Sequence, residues 1–126
     1  HLSTGGGAQG DVVKFGGTST QAGELLHLTS TGGWSTTRND QKNTATGSLG
    51  IALGTNSTTD GILLRGIVSC SAVDTSIGQP VYLGAGAGEV DASAPTDSGD
   101  IVRVVGYYYG NGLIYFNPDN TFIEVA

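Results

Sequence analysis

The sequence predicts an all-β domain, a small barrel or sandwich of about eight short antiparallel strands with essentially no helix. Three observations lead there. Glycine, 22 of 126 residues, interrupts nearly every window long enough for a helix. Short apolar runs are bounded by Gly, Asp, Asn and Pro, the residues that supply turns. The pair Asn111-Gly112 joins IVRVVGYYYG to LIYF and is the preferred centre of a type I′ hairpin.

In chain order, strands are expected at residues 11–15, Leu25–Leu28, 49–53, Ile62–Ser69, Pro80–Leu83, 100–109, 113–117 and 121–125. The longest stretch between two glycines, WSTTRNDQKNTAT at 34–46, is polar all round and reads as a loop. Residues 67–77 are rich in β-branched side chains and show no helical period. A two-residue loop at Asn111-Gly112 sets Gly110 against Leu113, Tyr109 against Ile114, Tyr108 against Tyr115 and Tyr107 against Phe116. Two aromatic cross-strand pairs would then hold the register, at roughly 0.2–1 kcal/mol each.

GELLHL at 23–28, followed by Gly32-Gly33-Trp34, is echoed 55 residues later by GQPVYL at 78–83, followed by Gly86-Ala87-Gly88. Each copy leads through a polar loop into an apolar strand with glycine, LGIALG in the first and VRVVGY in the second. Such a repeat fits two half-domains packed as a pseudo-symmetric barrel; the alternative is two hairpins that converged on similar turns.

Two strands are apolar on both faces. In the first, Ile62, Leu64 and Val68 share one face, and Leu63, Arg65 and Ile67 the other. In the second, Ile101, Arg103, Val105, Tyr107 and Tyr109 lie opposite Val102, Val104 and Tyr108. A half-exposed strand alternates apolar with polar residues, so these lie between two layers or against another copy of the chain. The small size of the domain favours oligomerisation, with Leu63, Arg65, Ile67, Arg103, Val105, Tyr107 and Tyr109 as interface candidates. Buried inside such runs, Arg65 and Arg103 each need a carboxylate, within or between subunits, or several carbonyls; otherwise each lays its stem on apolar surface with its head in solvent.

Composition removes several function classes. The net charge is −6, and the five basic residues are spread along the chain, leaving no patch to neutralise phosphates or anionic lipid. No apolar stretch reaches the ~18 residues of a membrane span. Neither nucleic-acid binding nor membrane insertion is expected. One cysteine, Cys70, excludes an internal disulfide framework and reads as a buried thiol. Residues 1–10, HLSTGGGAQG, read as a flexible linker or processed N-terminal segment, and 11–126 as a single β domain. Without any methionine, the sequence reads as a cleaved product or a segment of a longer polypeptide.

Catalytic chemistry has few candidates. His27 alternates with Leu26 and Leu28; a Ser-His-Asp set on it is not excluded by spacing, but no G-x-S-x-G elbow is present. One Cys and two His argue against tetrahedral zinc. Residues 5–10 match G-x-G-x-x-G formally, with no strand before and no helix after. No catalytic residue and no cofactor is expected. The weak metal candidates are Glu89, Asp91, Asp97 and Asp100, oxygen ligands of a calcium-type loop that fits no EF-hand spacing. Trp34, in the turn GGWSTT, is the glycan-contact candidate; alternatively its indole covers one end of the core. Asn56-Ser57-Thr58 is a glycosylation sequon by pattern.

The order of motifs resembles a C-terminal β-rich module of tailed-phage virion proteins, especially marine ones, described as tail-fibre, head-fibre or decoration proteins. The matching features are Trp34, 49–54 (LGIALG), 63–66 (LLRG), Pro80–Leu83 (PVYL), the Pro-Thr loop with SGDIVRVVGY at 94–107 and the IYFNPD of 114–119. They cover the chain from about Gly10 to its end, and SGDIVRVVGY and IYFNPD are the most specific. The resemblance implies a bacteriophage structural protein at the virion surface, C-terminal in a longer chain and homotrimeric. Its partners would be capsid or tail proteins and a host-surface glycan. It brings no catalytic residues. A carbohydrate-binding or adhesin-type recognition module is the alternative function.

Overall fold

The computed structural model describes residues 9–69, 73 and 75–126. Most of the expected linker, together with Cys70, lies outside these residues. The described chain is nearly all β: a curled antiparallel sheet, a half-barrel. Its strands are β1 (Gln9–Val13), β2 (Leu25–Leu28), β3 (Trp34–Thr36), β4 (Leu49–Ala52), β5 (Ile62–Ser69), β6 (Pro80–Leu83), β7 (Val90–Asp91), β8 (Ile101–Val102), β9 (Val104–Gly110), β10 (Leu113–Phe116) and β11 (Ile123–Glu124). One helical turn, α1 (Lys42–Ala45), interrupts the polar segment expected to be a loop, and Trp34–Thr36 at its start is a strand.

β5 is the spine. Its Ile62 and Leu63 pair with both β1 and β4, and its Gly66 and Ile67 with both β1 and β10. A residue has only two edges, so β1 runs along one side of β5 while β4 and β10 divide the other. The sheet therefore forks into two half-sheets, β3-β2-β4 and β10-β9-β6-β7, joined through β5. The main core fills the space between them. It takes Leu25, Leu49, Ile51 and Leu63 from the first half and Val81, Leu83, Val105, Ile114 and Phe116 from the second. Each such side chain contributes about 1.5–3 kcal/mol on full burial. At the open side, Leu25 N–H donates to Gly88 O (2.8 Å), Gly88 N–H to Thr37 O (2.8 Å) and Asn39 N–H to Gly84 O (3.0 Å), tying the two halves together.

The halves repeat one hydrogen-bonding plan. β2 pairs with β4 as Leu25↔Ile51, Leu26↔Gly50 and His27↔Leu49. β6 pairs with β9 as Pro80↔Tyr107, Val81↔Gly106 and Tyr82↔Val104. The plan is the same apart from one added residue, Val105. Gly23 N–H donates to Ala52 O and Ala52 N–H to Glu24 O; 55 residues on, Gly78 N–H donates to Tyr108 O and Tyr108 N–H to Gln79 O. Gly23 and Gly78 both hold φ near +90° (90° and 92°), a conformation that favours glycine. The sequence echo thus marks a structural repeat, although the halves do not pack symmetrically. The first half turns the face of Leu25 and Ile51 to the core, and the second turns the opposite face, that of Val81 and Tyr108.

Bulges explain the strands that read as apolar on both sides. Opposite β1, Leu64 of β5 is unpaired, between Asp11↔Arg65 and Val12↔Leu63. Burial shifts accordingly from Leu63 to Gly66 and Val68, leaving Arg65 and Ile67 outward. In β9, Val105 is the extra residue between Tyr82↔Val104 and Val81↔Gly106. Ile101, Arg103 and Val105 face inward before it, Tyr108 after it. Leu63, Arg103 and Val105 are therefore interior to one chain, and their expected place at a subunit interface is corrected.

A third bulge corrects the C-terminal hairpin. Asn111 (φ 53°) and Gly112 (φ 74°) both take the positive φ of a type I′ turn, and Leu113 faces Gly110 as expected. Tyr109 is then skipped: Ile114 faces Tyr108, Tyr115 faces Tyr107, and Phe116 faces Gly106. The shift sends Tyr108 into the core with Ile114 and sets bulky Phe116 opposite a residue without a side chain. A Cβ on Gly106 would strike the Tyr115 carbonyl oxygen.

Arg103 is buried and, among the described residues, forms no ion pair. Its Nε donates to Asp119 O (2.6 Å) and its Nη1 to Ala45 O (3.1 Å), which joins the junction of β8 and β9 to α1 and to the loop after β10. Burial pushes its guanidinium below the ordinary arginine value, and the charge of Asp119 partly offsets this. Arg65 is not buried: its head lies in solvent, where it pairs with Asp11 (3.1 Å). Replacing Arg103 with methionine leaves two carbonyls without their donor, so Arg103→Met is expected to cost about 2 kcal/mol in urea unfolding. An unchanged midpoint would show that the bonds contribute nothing net.

Candidate functional site

Two outward surfaces survive once the fold has buried its core, one on each side of the main core. Call the front of a half-sheet the face of Leu26, Ala52 and Ile62 in the first half, which corresponds through the repeat to Val81, Tyr108 and Ile114 in the second. The back is the face of Leu25, Ile51 and Leu63 in the first, corresponding to Pro80, Tyr107 and Tyr115 in the second. Inside the chain, the second front packs on the first back.

The first front is covered by β1 and the strap of residues 14–20. Leu26, Trp34, Ala52 and Ile62 are buried there, with Val13 and Leu64 packed against them. The strap is fixed by Trp34 Nε1–H donating to Phe15 O (3.1 Å), Phe15 N–H to Ser57 O (3.2 Å) and Ser57 N–H to Thr18 O (2.9 Å). Trp34 is 6% exposed, so its indole covers a core and offers no open ring face to a sugar. The glycan-contact expectation for Trp34 is corrected on that ground. Cover by the strap is incomplete. Phe15 is 49% and Leu28 38% exposed, beside a cavity of about 430 Å³ that Lys14, Leu64 and the edge of Trp34 also line.

Among the described residues, no layer covers the second back. Tyr107 is 43% and Tyr109 49% exposed, and Ile67, Tyr82, Val104 and Tyr115 are half-buried around them. The rings of Tyr109 and Tyr115 stack with centroids 5.9 Å apart and planes at 26°. Beside them a cavity of about 410 Å³ extends over the glycine pair Gly10↔Gly66 to the Arg65–Asp11 ion pair. Of the seven interface candidates, Arg65, Ile67, Tyr107 and Tyr109 thus share one outward surface. Sequence reasoning missed Phe15 and Leu28 because neither lies in a strand apolar on both faces.

The four candidate calcium ligands do not converge. Asp91 Oδ1 accepts the Ser93 N–H (3.1 Å) in its own turn, and Glu89 folds back over Gly86. Asp97 accepts the Asp100 N–H (3.0 Å) through its backbone carbonyl, and Asp100 is buried. Among the described residues, no three His, Cys, Asp or Glu side chains group to hold a metal. The sequon asparagine, Asn56, accepts the Thr58 N–H (2.8 Å) and Thr59 N–H (3.2 Å) as a turn residue. No described helix is long and apolar enough to cross a membrane.

Compared with known proteins, the chain matches no family, no curated sequence and no solved structure.

His27, half-buried at the centre of β2, has its imidazole pKa pushed below the usual 6.5 by burial, against a smaller opposing effect of the Leu28 backbone. The unfolded chain therefore binds a proton at a pH where the folded chain does not. Stability from this group is present above pH 6.5 and declines as pH falls from 6.5 towards the lowered folded value. Urea midpoints measured from pH 7.5 downward should fall more for the wild type than for His27→Gln. Parallel profiles would remove His27 as the cause.

Proposed function

We propose that this chain is a non-catalytic structural component of a bacteriophage virion, a fibre or capsid-decoration β module. It works at the particle surface by packing against copies of itself, as a homotrimer, and against neighbouring capsid or tail proteins. In that setting it serves assembly, particle stability or contact with the host surface. The virion setting rests on the resemblance carried by SGDIVRVVGY and IYFNPD.

One observation carries the self-association. The back of the second half-sheet is open at Tyr107 and Tyr109, whereas its structural counterpart in the first half, Leu25, Ile51 and Leu63, is wholly buried. Exposed tyrosines in a contiguous patch with an arginine have the composition of protein contact surfaces. The carbohydrate reading has lost its tryptophan platform, and protein–protein packing fits the remaining surfaces best.

Sedimentation equilibrium of the isolated chain should give about three times the 12.7 kDa chain mass. A 12.7 kDa species persisting at high concentration would remove the self-association. Mass spectrometry of purified particles of the encoding phage should find the chain in multiples of three; its absence there would remove the virion setting.

A further inference from the structure

We infer that copies of this chain associate front to back: the open back of one copy, at Tyr107 and Tyr109, seats on the strap side of the next, at Phe15 and Leu28. The inference rests on the self-association proposed above and deepens it by naming both halves of the contact.

The argument comes from the repeat. Within the chain, the two half-sheets share a hydrogen-bonding plan and stack in the same sense, the front of the second on the back of the first. Stacking like units this way leaves a front at one end and a back at the other. Symmetric, face-to-face packing would leave two equivalent ends. The ends of this chain differ in kind. One is an aromatic back with Tyr107 and Tyr109 exposed beside a recess that reaches the Arg65–Asp11 pair; the other is an apolar front whose cavity of about 430 Å³ lies between the strap and the rim of Leu28 and Leu64. Both ends carry a recess, and the two differ in chemistry: the one on the back is edged by the Arg65–Asp11 ion pair, whereas the one on the front is walled by Phe15, Leu28 and Leu64 and so matches the exposed tyrosines better than their own recess does.

Chemistry agrees with shape. Phe15, Leu28 and Leu64 offer apolar surface to a tyrosine ring, and Lys14, beside the same recess, offers a cation to its face. The strap covers Leu26, Trp34, Ala52 and Ile62 but stops short of Leu28, so the first front has only part of the layer that its counterpart enjoys in the second half.

A front-to-back contact is heterologous: each copy uses two different surfaces. Such contacts close into a ring when the rotation between copies permits and otherwise run on as a filament. A defined trimer is the closed case.

Complementation between two variants tests this directly. A front variant, Phe15→Asp with Leu28→Asp, keeps its back. A back variant, Tyr107→Asp with Tyr109→Asp, keeps its front. All four positions are exposed, and far-UV circular dichroism with a urea melt checks each fold; serine at the same positions replaces aspartate for a variant that fails. Each variant alone should lose association at least about tenfold and sediment as a monomer. Mixed in equal amounts, they hold one intact front and one intact back and should form a one-to-one dimer and nothing larger. A wild type that trimerises beside a mixture that stays monomeric overturns the front-to-back pairing and leaves self-association standing. Loss of association from only one variant also overturns the pairing. A wild type that is itself monomeric overturns both proposals.

Discussion

A single extra residue in each of the two longest strands decides which side chains the molecule buries. Side chains alternate along a strand, so an unbroken β5 could not send both Leu63 and Val68 into one core, nor an unbroken β9 both Val105 and Tyr108. The unpaired Leu64 and Val105 shift the alternation by one at the required points. Much of the fold depends on this. The shift in β5 lets one strand serve both half-sheets, and the shift in β9 separates buried Arg103 from exposed Tyr107. The third bulge, at Tyr109, then places Tyr115 beside Tyr107 on the outside.

The arrangement of the repeats follows from the same fork. Because β4 and β10 share one edge of β5, the half-sheets can fold over each other with the core between them. They do so with like orientation, so the chain resembles a short stack more than a symmetric barrel. A stack must deal with its two ends. β1 and the strap cover most of one, held by the indole of Trp34 and the backbone of Ser57. At the other end the tyrosines remain open. Polar contacts elsewhere are of two kinds: the guanidinium of Arg103 binds carbonyls of segments distant in the chain, and acids such as Asp91 cap their own turns.

Strand content was legible because turn residues punctuate it. Leu25–Leu28, Ile62–Ser69 and Pro80–Leu83 have the bounds their flanking residues suggest. The repeat was legible through its glycines, since Gly23 and Gly78 need the same positive φ. Bulges were not, because Leu64 and Val105 are ordinary strand residues and only their cross-strand partners reveal them as extra. The interface candidates were accordingly mixed: alternation carried through Val105 placed it with Tyr107, although the two lie on opposite sides of the sheet. Trp34–Thr36 hid because a three-residue strand in a polar segment has too little apolar pattern to detect. Phe15 and Leu28 are each flanked by ordinary residues, and only the strap's path brings them together.

The bulge in β9 is where the fold, the interior and the proposed contact surface meet, and nuclear Overhauser contacts from side chains of the labelled chain test it most directly. Val105 and Tyr108 should both show contacts to the core shared by Leu83 and Ile114, while Tyr107 and Tyr109 show none to that core. Contacts that group Val105 with Tyr107, on the opposite side from Tyr108, would mean an unbroken strand and would contradict the account.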